Sequence, residues 1–410
     1  MNISRFDGRS ARRAALALMC AVTVLAGAGC DDSQRSSSSA HQHPAARGSV
    51  VSVTPVADLD AKEVAGRLAK AGIDATQVRY GVRAHRIVYR TVDFKGTPTT
   101  ASELVTMPKN DERSLRVVSW LHGTEVYRGE VASVNDQSPD RATALLFAST
   151  GRAVSAPDYL GLGKGPGIHP YGNPKATVTA SVDALRATRT FARREGRGLD
   201  QRVLVSGFSQ GGPATMLVGR ALQQGVDPYF RPGALAPVAG PFDLSGFEAA
   251  AADDKVERSS LYLAYFATTW NRMYGLYSAP DQAFRAPYDK TVQTLFDGDH
   301  KASELAAALP RTSKQLFTEE FLQKVRHPTG DLRRKLEVMD TTCDWRPDVP
   351  VHLFHSRGDK DVSFANSLRC QRQLTAHGAD QQLSDVGEFD HSTTVLKALP
   401  QIVREFDTTR

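Results

Sequence analysis

The stretch Arg202-Val203-Leu204-Val205-Ser206-Gly207-Phe208-Ser209-Gln210-Gly211-Gly212 decides how the rest of the chain is read. A short apolar run enters a Gly-x-Ser-x-Gly turn, and a helical pattern follows from Ala214 to Gln224, closed by Gly225. Strand, sharp turn, helix is the order that gives this string meaning, since the string alone also falls in ordinary Gly/Ser loops. In that order the serine is strained, with its hydroxyl raised above a sheet. A Cβ at Gly207 or Gly211 would meet the neighbouring strand and helix. A serine so placed is a candidate nucleophile if an acid and a histidine follow in suitable settings.

Upstream, Ile87-Val88-Tyr89 leads a strand through Val92, and Leu104 to Met107 makes another, ended by Pro108. Leu115 to Leu121 is apolar apart from Arg116 and Ser119 and reads as a buried parallel strand. Ala153 to Ala156 is a further strand, stopping at Pro157-Asp158. The stripe Val178, Val182, Leu185, Ala192 predicts a helix within 177–194. Downstream, Leu235 to Ala239, Val351 to Phe354 and Gln382 to Val386 are the remaining strands. Two early strands, then strands alternating with helices, predict an α/β architecture with an open, mostly parallel sheet flanked by helices. Ligands in such sheets bind at the carboxyl ends of the strands.

The alternation breaks over 243–349, which is helical and rich in aromatics. Tyr262, Phe266, Trp270, Met273 and Tyr277 lie four, four, three and four residues apart. Such a stripe packs on a core, and it also suits a cap or lid whose apolar face lines a pocket. The expected divisions are therefore 51–242 and 350–410 for the two parts of the core, with 243–349 as the cap.

A serine hydroxyl is a poor nucleophile without a base, and the base needs a carboxylate to fix its tautomer. After Phe354, the strand runs into His355-Ser356-Arg357-Gly358-Asp359-Lys360-Asp361-Val362. Asp359 has the loop setting of such an acid, and Asp361 is a rival two residues on. The last strand ends before His391, which alone of the 11 histidines follows both the serine and the acid at the top of a strand. His352 and His355 read as structural, and His377 lies at the wrong end of its strand. An oxyanion needs two fixed N–H donors. One is the backbone of Gln210. The other is assigned to the backbone of Thr124, in the loop Leu121-His122-Gly123-Thr124 after the third strand, with His122 tying that loop down.

These segments resemble an α/β-hydrolase, and within that superfamily the exported bacterial secretory lipase and esterase type. The resemblance is carried by His122-Gly123-Thr124, Ala156-Pro157-Asp158-Tyr159-Leu160-Gly161-Leu162-Gly163, His169-Pro170-Tyr171, Gly207 to Gly212, Gly358-Asp359 and His391. It spans about Val82 to Phe406. The loop opening differs from the HGGG form, which leaves the second oxyanion donor open. The resemblance implies ester hydrolysis through an acyl-enzyme on Ser209, with His391 as base and Asp359 as its orienting acid. No metal or organic cofactor is needed for that chemistry. The same fold and triad also serve peptidases, where Glu125 is a candidate for holding a peptide terminus, and acyltransferases. A non-catalytic cell-surface binding module is the alternative of another class.

Gly161-x-Gly163-x-Gly165-x-Gly167 lacks a Ser or Thr after Lys164 and does not fit a phosphate loop, so it reads as a flexible loop near the site. Asp158 reads as capping the turn before Tyr159.

The first 29 residues have the form of an export signal: Arg5, Arg9, Arg12 and Arg13, then an apolar stretch from Ala14 to Leu25 too short to span a bilayer. Cleavage after Ala26-Gly27-Ala28 is one processing route. Lipidation of Cys30 is the other, since Leu25 to Cys30 resembles a lipobox apart from Gly27. Residues 30–50, with Ser36 to Ser39 in a row, read as a flexible tether that cannot bury a core. His41 and His43 within it do not make a metal site. Outside the leader this leaves Cys343 and Cys370, which in an oxidising compartment are expected to form a disulfide. Hydrophobic content of 41% and charged content of 23% are ordinary for a globular protein, and the net charge of +6 is partly in the leader. No basic block is interleaved with aromatics, so nucleic-acid binding is not expected. The expected partner is a small-molecule or lipid ester, with membrane attachment only through Cys30; oligomeric state is left open.

Overall fold

The computed structural model describes residues 46–409. The signal, Cys30, His41 and His43 lie outside the described residues. Among the described residues no helix is long and apolar enough to cross a membrane.

Nine strands form one sheet: β1 (Val50–Leu59), β2 (Val82–Val92), β3 (Pro98–Pro108), β4 (Ser114–Leu121), β5 (Ala153–Pro157), β6 (Gly198–Phe208), β7 (Arg231–Val238), β8 (Val351–His355) and β9 (Gln381–Asp385). Their spatial order is β1-β2-β3-β5-β4-β6-β7-β8-β9. β1, β2, β3 and β5 pair antiparallel; every pairing from β5 to β9 is parallel. The fold is therefore α/β with a mostly parallel sheet. The chain leaves β4 for β5 on one side and returns to β6 on the other. That reversal opens a crevice at the strands' carboxyl ends.

The helices are α1 (Ala61–Lys70), α2 (Pro139–Ser149), α3 (Pro174–Arg194), α4 (Gly211–Gln223), α5 (Leu244–Ala252), α6 (Ser259–Tyr274), α7 (Val292–Leu295), α8 (Ala302–Ala308), α9 (Ser313–Leu316), α10 (Glu319–Arg326), α11 (Gly330–Asp340), α12 (Ala365–Ala376) and α13 (His391–Thr408). The period of two along β4 explains how the sheet takes helices on both faces. Leu115, Val117 and Leu121 pack with the residues of α3, α4 and α12, whereas Val118 and Trp120 pack with those of α1, α2 and α13.

No strand was expected before Ile87, yet β1 is there. It is an edge strand with half its residues exposed and Pro55 in its middle, so it carries no continuous apolar run. Residues just before it are already fixed, with the Gly48 N–H donating to Arg90 O at 2.7 Å and Arg47 paired to Asp183 at 2.9 Å.

Between β7 and β8 lie α5 to α11, which bury a core of their own. The expected aromatic stripe is not one face of one helix. α6 ends at Gly275, whose φ of +68° is left-handed, so Tyr277 is not on it. From Tyr262 to Trp270 every residue of α6 is buried, so that stretch is enclosed on all sides and not along one stripe, while Asn271 to Tyr274 emerge from the core. Cys343, before β8, is bonded to Cys370 on α12.

Candidate active site

Ser209 follows the last residue of β6 with φ +55°, a left-handed backbone that non-glycine residues adopt only at a cost of roughly 1–3 kcal/mol. The surroundings impose it. A Cβ on Gly207 would lie 2.4 Å from Gly211 O, and one on Gly211 would lie 1.9 Å from Leu121 O, so the turn is wedged against the end of β4. The Ser209 N–H donates to Val238 O at the end of β7, at 2.9 Å.

His391 opens α13, where Asp390 caps the helix by accepting from the Thr393 N–H at 2.7 Å. Its Nε2 lies 2.9 Å from Ser209 Oγ, and its Nδ1 lies 2.6 Å from Asp359 Oδ2. A carboxylate can only accept, so Nδ1 carries the proton and Nε2 presents its lone pair to the serine hydroxyl. Phe208 packs against the imidazole with centroids 4.6 Å apart. Ser209, Asp359 and His391 are 6%, 6% and 5% exposed, so water reaches the set only through the crevice.

Asp359 is held from several sides. Its Oδ1 accepts the N–H groups of Asp361 at 3.0 Å and Val362 at 2.8 Å. Its Oδ2 also accepts from His355 Nε2 at 3.2 Å, while Ser367 Oγ lies 2.7 Å from His355 Nδ1. Burial opposes its charge, but the hydrogen bonds from His355 and His391 hold its pKa down to about 2. The rival, Asp361, faces the Arg258 guanidinium and lies 3.4 Å from the Tyr262 hydroxyl; its side chain makes no bond to His391. Sequence reasoning set His355 aside as structural. It touches Asp359 because the turn brings position i+4 back over the end of β8, a contact that chain order does not reveal.

The loop after β4 covers the serine. A Cβ on Gly123 would sit 3.5 Å from Ser209 Cβ. The backbone N–H groups of Thr124 and Gln210 have no hydrogen-bond partner among the described residues. His122 is buried, with ring nitrogens 2.7 Å from Gly123 O and 3.2 Å from Asp158 O, so it ties the loop after β4 to the loop after β5. Asp158 does more than cap a turn. It accepts from Ser102 Oγ and Ser133 Oγ, both at 2.5 Å, and its burial raises its pKa. The glycine-rich loop after it is not slack. Gly163 has φ +59°, and a Cβ there would lie 2.3 Å from Asp158 Oδ2, so the glycine allows close packing on that carboxyl.

Ser209 and His391 open into a cavity of about 360 Å³, walled by Ile73, Trp120, Phe208, Val395 and Leu396, with Arg258, just before α6, and Tyr262 of α6 at one side. Glu125 and Asp140 also line it. Burial, with the charges of Asp140 and Glu130, lifts the Glu125 carboxyl to about 8. A larger cleft of about 770 Å³ lies among Arg202, His352, Gln382 and Arg404, near the amino ends of β8 and β9, and holds none of the candidate residues.

No protein-family model matches the chain. No curated protein matches it either. Solved structures do. A Legionella pneumophila protein described only as a hydrolase superposes with a TM-score of 0.81 at 25% identity, over 87% of this chain and 97% of that one. The rice cell wall degrading esterase LipA from Xanthomonas oryzae gives 0.79 at 26% identity, over 89% and 99%. Candida antarctica lipase A gives 0.62 over 84% and 78%, and at 13% identity that likeness is one of fold alone. With its sheet order, its strained serine turn and these structural relatives, the chain is an α/β-hydrolase by fold, similar to esterases and lipases.

Proposed function

We propose that the chain is an exported serine carboxylester hydrolase. One observation carries the reading: the unbroken line from Ser209 Oγ through His391 to Asp359, at 2.9 and 2.6 Å, beside a cavity at the carboxyl edge of the sheet. In the reaction, Ser209 Oγ attacks the ester carbonyl carbon and its proton passes to His391 Nε2. Asp359 holds the resulting imidazolium. The Gln210 and Thr124 N–H groups receive the oxyanion. Collapse expels the alcohol, which takes the proton from His391. Water, deprotonated by His391, then attacks the acyl-enzyme, and Ser209 is restored as the acid leaves.

Cavity size supports small esters, since about 360 Å³ is near the lower end of ligand sites. A Glu125 carboxyl lifted to about 8 is largely protonated at neutrality and a poor anchor for a peptide ammonium group, which favours ester over peptide. The leader at 1–29, the expected tether, shortened because Arg47 to Val50 are already held against the sheet, and the Cys343–Cys370 bond support export, with Cys30 lipidation or cleavage after Ala28 as the two routes. The division into a core of 51–242 and 350–410 with a cap at 243–349 belongs to the same proposal. The start of α6 supports it by lining the cavity with Tyr262 and, just before the helix, Arg258.

The test is hydrolysis of nitrophenyl esters of graded chain length by the purified protein and by Ser209→Ala, with circular dichroism to check that both fold. Turnover on short chains, lost by several orders of magnitude in the variant, supports the reading. A folded wild type inert on every ester sinks it.

A further inference from the structure

The segment His169-Pro170-Tyr171 has no role in the chemistry above, yet it touches both residues assigned to the oxyanion. His169 is buried, and its Nδ1 lies 2.9 Å from Leu160 O. A carbonyl only accepts, so the proton is on Nδ1 and Nε2 is a bare acceptor. The Gln210 side-chain amide stands 3.0 Å from that Nε2 and can only donate to it. This fixes which way the amide faces, since its oxygen could not pair with the lone pair. Burial depresses the His169 pKa to about 3, so the acceptor persists across any ordinary assay pH.

Two residues on, the Tyr171 hydroxyl is 3.2 Å from Thr124 Oγ1. Both rings are clamped. Tyr159 stacks on His169 at 5.8 Å and 18°, and the Tyr159 hydroxyl donates to His122 O at 3.3 Å. Tyr265 of α6 stacks on Tyr171 at 4.4 Å and 18°. The Tyr265 hydroxyl also donates to Glu125 O at 3.0 Å, in the residue after Thr124, while Trp270 Nε1 donates to Tyr171 O at 3.1 Å. Two donors that come from separate loops, one after β4 and one after β6, are thus each held by a side chain of a third loop.

We infer that His169 and Tyr171 are positioning residues for the oxyanion site, His169 holding Gln210 and Tyr171 holding Thr124 so that their backbone N–H groups converge on one point. The inference rests on the ester-hydrolase reading. An oxyanion donor counts only when it is aimed at the charge that develops, and a small misplacement forfeits most of its value. Loss of a positioning contact should therefore lower kcat and spare KM.

The experiment is a double-mutant cycle on nitrophenyl acetate hydrolysis. His169→Phe keeps a stacking ring and removes the acceptor; Gln210→Ala keeps the backbone donor and removes the side chain that aims it. Each is expected to lower kcat by about 10- to 100-fold, less than the loss of a whole donor, with KM within about twofold. The double variant should be no worse than either single within about threefold, because both cut the same contact. Tyr171→Phe, which removes one hydroxyl and keeps the Tyr265 stack, should lower kcat by about 3- to 10-fold. A trifluoromethyl ketone, which forms an oxyanion adduct with the serine, should weaken in step with kcat. Its plain methyl ketone analogue should bind unchanged.

Full multiplication of the His169→Phe and Gln210→Ala losses, an effect confined to KM, or unchanged kcat in an active enzyme would each overturn the inference and leave the hydrolase reading standing. If His169→Phe fails to fold, Gln210→Ala and Tyr171→Phe carry the same kcat-against-KM test. A folded wild type that cleaves no ester overturns both.

Discussion

Of the cavities at the ends of these strands two bear comparison, and the smaller contains the proposed nucleophile and base. At the amino ends the cleft is about 770 Å³, among Arg202, His352, Gln382 and Arg404. At the carboxyl ends it is about 360 Å³ and contains Ser209 and His391. The difference is one of construction. At the carboxyl edge the backbone is forced: a left-handed Ser209, glycines with no room for a Cβ, and a carboxylate accepting from two backbone N–H groups and two histidines. At the amino edge His352 meets Glu405 at 2.6 Å and Ser384 at 2.7 Å, the same order of groups, but Ser384 lies within β9 on ordinary backbone and does not line the cleft. Volume measures where chain ends splay apart; a reactive site is marked by groups held against their own preferences.

That contrast can be broken in three ways. The largest effect is expected at the acid. Asp359→Asn should lower kcat by about three to four orders of magnitude, because an amide can offer its N–H to the imidazole and select the wrong tautomer. Asp361→Asn, two residues away, should cost about tenfold or less. Steady-state kinetics on a short nitrophenyl ester compares them, and equal losses would remove the distinction drawn between the two carboxyls.

A middle-sized effect belongs to Glu125 and appears in stability. Its folded pKa is raised from 4.5 to about 8, so between those values the folded state binds the extra proton. Stability from this group is full below about 4.5 and drains away as pH rises through about 8. Glu125→Gln has no such loss. Its melting temperature relative to the wild type should therefore rise between pH 5 and pH 8.5, on the order of a few degrees. A constant difference in melting temperature across that range would show that folding does not raise this carboxyl's pKa. The smallest effect is at the amino edge, where Arg404→Ala and Gln382→Ala should leave kcat/KM within about twofold. A tenfold loss from either would make the larger cleft part of the working site.

Much of the carboxyl edge was legible because Ser209, Thr124 and Asp359 each follow an apolar strand, and His391 then follows the next strand in order. Val203 to Ser206, Leu115 to Leu121 and Val351 to Phe354 are runs that only a buried sheet explains, and the sheet's parallel course brings their far ends together. What was not legible has other causes. β1 mixes exposed and half-buried residues irregularly around Pro55, so it has no buried period to notice. The stripe on α6 was visible, but from Tyr262 to Trp270 the helix is buried on every side and has no single face. Tyr265, off the stripe, proved to be the residue stacked on Tyr171. The choice between Asp359 and Asp361 turns on side-chain direction within one tight turn, which two-residue spacing does not encode. Gly161 to Gly167 suggested looseness, whereas Gly163 is there because Asp158 leaves no space for more. His169 and Tyr171 matter through contacts across three loops, which no local pattern reports.

The same weakness of β1 as a signal has a consequence for how the molecule meets its neighbours. A sheet's outer strands offer rows of unpaired backbone groups to which another chain can add, the usual route to fibrils and runaway association. Here the outermost strand on one side is interrupted by Pro55 and by register shifts at Val50/Ser52 and Pro55/Ala57. On the other side, β9 is five residues long, Gln-Gln-Leu-Ser-Asp. Neither margin presents a long, even template, so the sheet is shielded at both margins from recruiting a tenth strand from another molecule.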